Sequence, residues 1–88
     1  MTASGVRPQA LVTGATGGMG GEIVRELSRT HDVIAVGRSA DALSELARQT
    51  GATPWVLDIT DAEALAARTA ELTRLDVLVH GAAIAAVH

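Results

Sequence analysis

Eighty-eight residues with a formal charge of −3 and no cysteine admit one small domain and exclude a disulfide framework or thiolate chemistry. Seven arginines stand dispersed among ten acids, so no basic stripe marks a nucleic-acid surface. The hydrophobic share of 48% is almost wholly aliphatic, with Trp55 the single aromatic residue, which favours strands and helices packed through Val, Ile, Leu and Ala.

Residues 1–8 read as a flexible leader closed by Pro8. They lack the apolar core of a signal peptide, and no run approaches the length of a membrane span, so a cytoplasmic location is expected. Ala10-Leu11-Val12 is then a short buried strand. The glycine-rich stretch Thr13-Gly14-Ala15-Thr16-Gly17-Gly18-Met19-Gly20 follows, and Ile23, Val24 and Leu27 have the spacing of one helix face. The stretch thus joins a strand to a helix, and its glycines meet three needs of such a joint. The chain must turn sharply, a ligand must approach without Cβ atoms in the way, and the helix must sit close to the sheet. Gly14, Gly18 and Gly20 are candidates for these roles. A helix beginning near Gly18 aims free N–H groups at the turn, a place suited to pyrophosphate. No lysine stands where a P-loop needs one, which disfavours that nucleotide-binding motif.

The first helix is expected to run to Ser28 or Arg29, and Val33-Ile34-Ala35-Val36 reads as a strand covered on both faces. Ser39 is an N-cap candidate for a second helix with Leu43, Leu46 and Ala47 inward and Gly51 as its stop. Trp55-Val56-Leu57 is the third strand, with Pro54 at its start and Asp58 at its end. Thr60 and Glu63 have the spacing of a capping box for a third helix, with Leu65 and Leu72 toward the sheet and an end near Thr73. Val77-Leu78-Val79 is the last strand, flanked by Asp76 and His80. Four strands alternate with three helices. The expectation is an α/β fold, a partial Rossmann-type doubly wound parallel sheet of order 3-2-1-4 with right-handed crossovers. A ligand belongs at the carboxyl edge, where the loops after all four strands converge.

Thr13, Gly14, Gly18 and Gly20 meet the pattern Thr-Gly-x-x-x-Gly-x-Gly, which resembles the cofactor loop of the short-chain dehydrogenase/reductase family. Because Gly17 is also glycine, the loop equally matches the Gly-x-x-Gly-x-x-Gly spacing of extended and atypical members, and it does not choose the branch. The resemblance covers nearly all 88 residues but only the first half or less of a family domain. It implies that residues 9–88 form a partial NAD(P)-binding domain whose parent activity is hydride transfer between NADP(H) and a carbonyl or alcohol substrate. The cofactor-binding candidates are Gly14, Thr16, Gly17, Gly18, Met19, Gly20, Arg38, Asp58, Ile59, Gly81, Ala82 and Ala83.

The second strand ends Val36-Gly37-Arg38 without the carboxylate expected to bind the ribose hydroxyls of NAD. Glycine removes the charge that would repel a 2′-phosphate, and Arg38 can hold one in a charge-assisted contact, so NADP(H) is expected over NAD(H). The competing reading of Arg38 is a solvated residue at a helix start. Asp58-Ile59 stands where the family has an Asp and an apolar residue beside the adenine ring. Gly81-Ala82-Ala83 departs from the Asn-Ala-Gly of common single-domain members and sits nearer the His-x-Ala-Ala of extended ones. His80 reads as a strand-end residue rather than an acid/base group, and His31 and His88 have no supporting constellation.

In this family a Ser and a Tyr-x-x-x-Lys pair supply the acid–base chemistry. This chain contains neither tyrosine nor lysine, and its four serines all precede the position of the catalytic one. No catalytic residue is therefore assigned, and no metal site is expected. Two origins compete: the amino-terminal part of an NADP(H)-dependent oxidoreductase, or a non-catalytic nucleotide-binding or interaction module. The same fold binding FAD or a methyl donor is a third reading, disfavoured by the Thr-Gly start and by Gly37-Arg38. A lone third helix leaves apolar sheet exposed beside Val77–Val79, so self-association or a missing carboxy-terminal half is expected.

Overall fold

In the computed structural model, which describes residues 7–58, 60–72 and 75–80, the chain alternates strand and helix throughout. The elements are β1 (Gln9–Thr13), α1 (Gly18–Leu27), β2 (Asp32–Gly37), α2 (Ala40–Thr50), β3 (Thr53–Val56), α3 (Ala62–Thr69) and β4 (Val77–His80). The sheet is four-stranded, in the order β3-β2-β1-β4, with all three pairings parallel. This is the expected partial Rossmann-type topology, with the order reversing beside β1.

Strand alternation divides the sheet's apolar residues between two faces. Ala10 and Val12 of β1 and Val33 and Ala35 of β2 point to one side, where they pack with Val24 of α1 and Leu43 and Leu46 of α2. Leu11, Ile34 and Val36 point to the other, where they join Trp55 of β3. Two-sided burial is the reason β1 and β2 read as continuous apolar runs rather than as alternating ones. Val77 and Val79 of β4 pack against the first cluster, whereas Leu78 on the opposite side is 54% exposed.

Several boundaries differ from expectation, each for a local reason. β3 begins at Thr53 because Ile34 and Ala35 of β2 pair with Thr53 and Pro54. Pro54 therefore lies inside the strand, which is tolerated because β3 is at the sheet edge. The capping box at the start of α3 is not formed. Asp61 is the N-cap and accepts from the Ala64 N–H at 3.1 Å, while the Thr60 hydroxyl donates to Asp58 at 2.8 Å. The adjacent carboxylate wins the cap, and Thr60 is drawn back toward the strand end. α3 also stops at Thr69 rather than near Thr73. The Thr69 hydroxyl bonds back to the carbonyls of Leu65 and Ala66, and the next N–H groups, of Glu71 and Leu72, reach back only three residues. By contrast, Ser39 caps α2 as expected, and Gly51 ends it at φ 82° in the left-handed region.

Candidate functional site

The turn after β1 is shaped by contact as much as by conformation. Gly14 adopts φ 66°, a left-handed conformation open to glycine and costly for most side chains. The turn is pinned to the neighbouring strand by the Ala15 N–H, which donates to the Val36 carbonyl at 3.0 Å, with Ala15 fully buried. One turn into the helix, Gly20 lies directly over Gly14. A Cβ there would stand 2.0 Å from the Gly14 carbonyl oxygen. At Gly18 a Cβ would meet nothing within 4 Å. Gly14 thus makes the sharp turn and Gly20 the close helix packing, while a side chain at Gly18 would project into open space.

α1 starts differently from its two companions. Its N-cap, Gly17, offers no side-chain acceptor, and its first turn contains no acid. Ser39 and Asp61 occupy an N–H at the starts of α2 and α3, and each of those first turns carries an acid, Asp41 and Glu63. The leading N–H groups of α1 and the positive end of its dipole are left to an external acceptor.

Beside this turn the carboxyl edge of the sheet opens into a cleft of about 480 Å³ lined by Gly14, Thr16, Gly37, Arg38, Leu57, Asp58 and Thr60. The loops after β1, β2 and β3 therefore meet in one place. Gly37 is the last residue of β2, and its Cα faces Thr16: a Cβ there would lie 3.2 Å from the Thr16 methyl group. A side chain at Gly37 would press on Thr16, which would have to shift slightly to admit it, and Arg38 stands exposed at the cleft wall.

Across the cleft, Asp58 Oδ1 accepts from both the backbone N–H and the hydroxyl of Thr60, at 2.9 and 2.8 Å. These two hydrogen bonds, with a smaller contribution from the positive charge of Arg38, hold the Asp58 carboxyl below its usual range, so it is ionised at neutral pH. The cleft thus combines neutral donors at the glycine turn, one cation and one fixed anion. It can hold a ligand that carries phosphate at one end and hydrogen-bond donors at another.

Of the residues singled out from sequence, Gly14, Thr16, Arg38 and Asp58 line this cleft together. Gly17 and Gly18 line a neighbouring groove of about 280 Å³ between α1 and α2, which Arg25 and Gln49 bridge at 3.1 Å. Gly20 is buried beneath the turn and serves its packing, and Met19 is 50% exposed and lines neither cavity. Ile59, Gly81, Ala82 and Ala83 lie outside the described residues. Leu57 and Thr60 are cleft residues that sequence reasoning passed over. The spacing Asp58-x-Thr60 was the available signal for the second, because an Asp side chain readily takes the N–H two residues on.

Among the described residues there is no cluster of three or more His, Cys, Asp or Glu to hold a metal ion. None of their helices is long and apolar enough to cross a membrane.

Comparison with known proteins places this geometry in a family. The chain is 39% identical over 82 residues to the NADP-dependent 3-hydroxy acid dehydrogenase YdfG of Escherichia coli K12, covering 85% of the chain and 33% of that protein. It is 40% identical over 86 residues to the galactitol 2-dehydrogenase (L-tagatose-forming) of Cereibacter sphaeroides, covering 90% and 34%. A crystal structure of a short-chain oxidoreductase from Thermus thermophilus superposes with a TM-score of 0.74 at 46% identity, over 81% of this chain and 35% of that one. The chain spans from a quarter to about a third of the length of the curated relatives it matches. A family model described as short chain dehydrogenase matches residues 8–88, and the chain belongs to that family of oxidoreductases.

Proposed function

We propose that the chain is the NADP(H)-binding amino-terminal portion of a short-chain oxidoreductase that transfers hydride between NADP(H) and a carbonyl or alcohol substrate. The observation that carries the cofactor choice is the pair Gly37-Arg38 at the cleft wall, a cation that follows a strand, β2, ending in glycine rather than in a carboxylate. The similarity to YdfG, NADP-dependent by its name, supports the same choice.

In this reading the open N–H groups at the start of α1 receive the pyrophosphate, and Gly18 leaves them approachable. Arg38 binds the 2′-phosphate, the role in which a planar guanidinium outperforms lysine. Asp58 faces the adenine. The cofactor, when bound, supplies the hydride; these residues bind and orient it and move no proton. Tyrosine and lysine are absent from the 88 residues, so proton transfer to substrate requires groups from elsewhere. A cysteine-free chain is compatible with the reducing cytoplasm, the location this reading carries.

The test is a titration of the 88-residue chain with NADPH and NADH, followed by heat and by the fluorescence of buried Trp55. NADPH should bind at least roughly tenfold more tightly than NADH. Arg38→Ala should weaken NADPH by roughly tenfold or more, the scale of a charge-assisted phosphate contact, and NADH by less than about twofold. Equal losses would remove the assignment of Arg38. The missing Tyr and Lys favour a second reading, a non-catalytic nucleotide-binding or interaction module. A folded chain that bound neither dinucleotide would make the interaction role the better account.

A further inference from the structure

We propose that the outer edge of β4 is a homodimer surface, on which two copies of the chain pair β4 with β4, antiparallel about a two-fold axis at Leu78. The two sheets then continue as one. The pairing stands whether or not the cleft holds a dinucleotide.

The order β3-β2-β1-β4 makes β3 and β4 the edges of the sheet, and the two are guarded unequally. On the β3 side the Leu57 N–H donates to the Gly37 carbonyl at 2.9 Å, so by alternation Trp55 also faces β2, and Pro54 and Val56 face outward. Pro54 thus removes an N–H that an added strand would need. On the β4 side the Asp76 N–H donates to the Gln9 carbonyl at 2.9 Å, so Leu78 also faces β1, and Val77 and Val79 turn their N–H and C=O groups outward. Among the described residues no strand pairs with that side of β4. Its sequence, Val77-Leu78-Val79-His80, has no proline, lysine or arginine to deter a partner strand. Beside it lies apolar surface: Leu78, 54% exposed, lines the groove under α3 with Leu65, Ala66 and Leu75.

A second copy fits this edge in one register. Because only Val77 and Val79 face outward, a two-fold antiparallel pairing has to centre on a residue. Centred on Leu78, Val77 of each copy exchanges both N–H···O bonds with Val79 of the other. Centring on Val77 or Val79 would instead set the exposed leucine opposite Asp76 or His80. In the Leu78 register the leucine meets its own copy, and the two grooves merge, since opposite residues share a face. The two clefts, at the carboxyl ends of antiparallel sheets, stay apart and open. An edge about 17 Å long, with a helix about 10 Å across stacked on it, presents on the order of 400 Å² per copy. That is about half of a standard interface, so the dimer is weak, with a dissociation constant on the order of tens of micromolar.

The experiment uses the full chain, which has no cysteine, so an introduced one is unique. Across the axis Leu78 and its copy form a non-hydrogen-bonded pair with Cα atoms about 4.5 Å apart, within reach of a disulfide. Leu78→Cys, oxidised with diamide, should yield covalent dimer at least roughly tenfold faster than Val56→Cys, a control as exposed at 52% but on the guarded edge. Val77→Pro copies the guard of Pro54 onto β4 and should weaken the dimer, measured by sedimentation equilibrium, roughly tenfold or more. Circular dichroism verifies its fold; should it fail to fold, the cross-linking contrast decides alone. Equal cross-linking at the two positions, or an undiminished dimer in folded Val77→Pro, overturns the pairing. So does a wild-type chain that stays monomeric at ten times the expected dissociation constant, which would leave this edge to a strand of another polypeptide.

Discussion

The hydrogen on Gly20 that faces Gly14 fills all the room available at that contact. Replacing it with a methyl group would set carbon 2.0 Å from a backbone carbonyl oxygen and 2.8 Å from its carbon, and neither can move without shifting the turn. Gly20→Ala should therefore lower stability by about 3 kcal/mol, the upper range for overpacking, despite alanine's better helix propensity. Gly18→Ala is the matched control: its methyl enters open space at the first helical position, and stability should change by less than about 0.5 kcal/mol. Urea midpoints measured on both variants check the contrast, and similar losses would refute the division of roles. If Gly18 faces the pyrophosphate, its alanine variant should fold normally and still bind NADPH more weakly.

Among the elements, α3 is held least. It has eight residues, none of them fully buried, and its packing rests on half-buried Ala64, Leu65, Arg68 and Thr69. Arg68 lays its guanidinium over the Trp55 ring at 4.5 Å from the centroid, a contact that ties the helix to edge strand β3. With so little burial, the cap matters more than usual. Asp61→Ala should cost about 1 kcal/mol, whereas Glu63→Ala should cost less than about 0.5 kcal/mol because its carboxylate completes no capping box. Amide exchange within 62–69 should speed up for the first variant and remain near wild type for the second. The same helix shows where sequence reasoning reached its limit. Val33–Val36 announces a doubly covered strand, and alternation with helices then dictates the sheet order, since each signal is repeated over several residues. The start of α3 turns on a competition between Thr60 and Asp61, neighbours of similar capping quality. Asp58, by taking the Thr60 hydroxyl, decides it. The cleft follows the same pattern: Gly14 and Arg38 were legible from motif spacing, whereas Leu57 and Thr60 became site residues only through the bend that leads from β3 into α3.

At the scale of the whole molecule, the two faces of the sheet are unequally covered. α1 and α2 close one face over Val12, Val33 and Ala35, while among the described residues the other face has α3 alone. Between α3 and the sheet runs a groove of about 420 Å³ lined by Leu11, Leu65, Leu75 and Leu78 among others, with Leu78 at 54% and Leu75 at 39% exposure. Two leucines so exposed, beside an edge strand, favour burial against another surface over solvation, at about 25 cal/mol per Å² covered. The 88-residue chain should therefore sediment as concentration-dependent oligomers. Leu78→Glu puts a charge on that face without removing a buried contact, since a side chain so exposed contributes little to the core. It should shift the chain to monomer while lowering stability, read from the urea midpoint, by no more than about 0.5 kcal/mol. Val77 and Val79, which point to the covered face, provide the opposite control: Val79→Ala should lower stability by about 1–2 kcal/mol and leave the association unchanged. A wild-type chain that stays monomeric at high concentration would show that this face is tolerable in water. An associating chain unaffected by Leu78→Glu would move the contact to another surface, with the exposed side of edge strand β3, where Val56 is 52% exposed, the next to be tested.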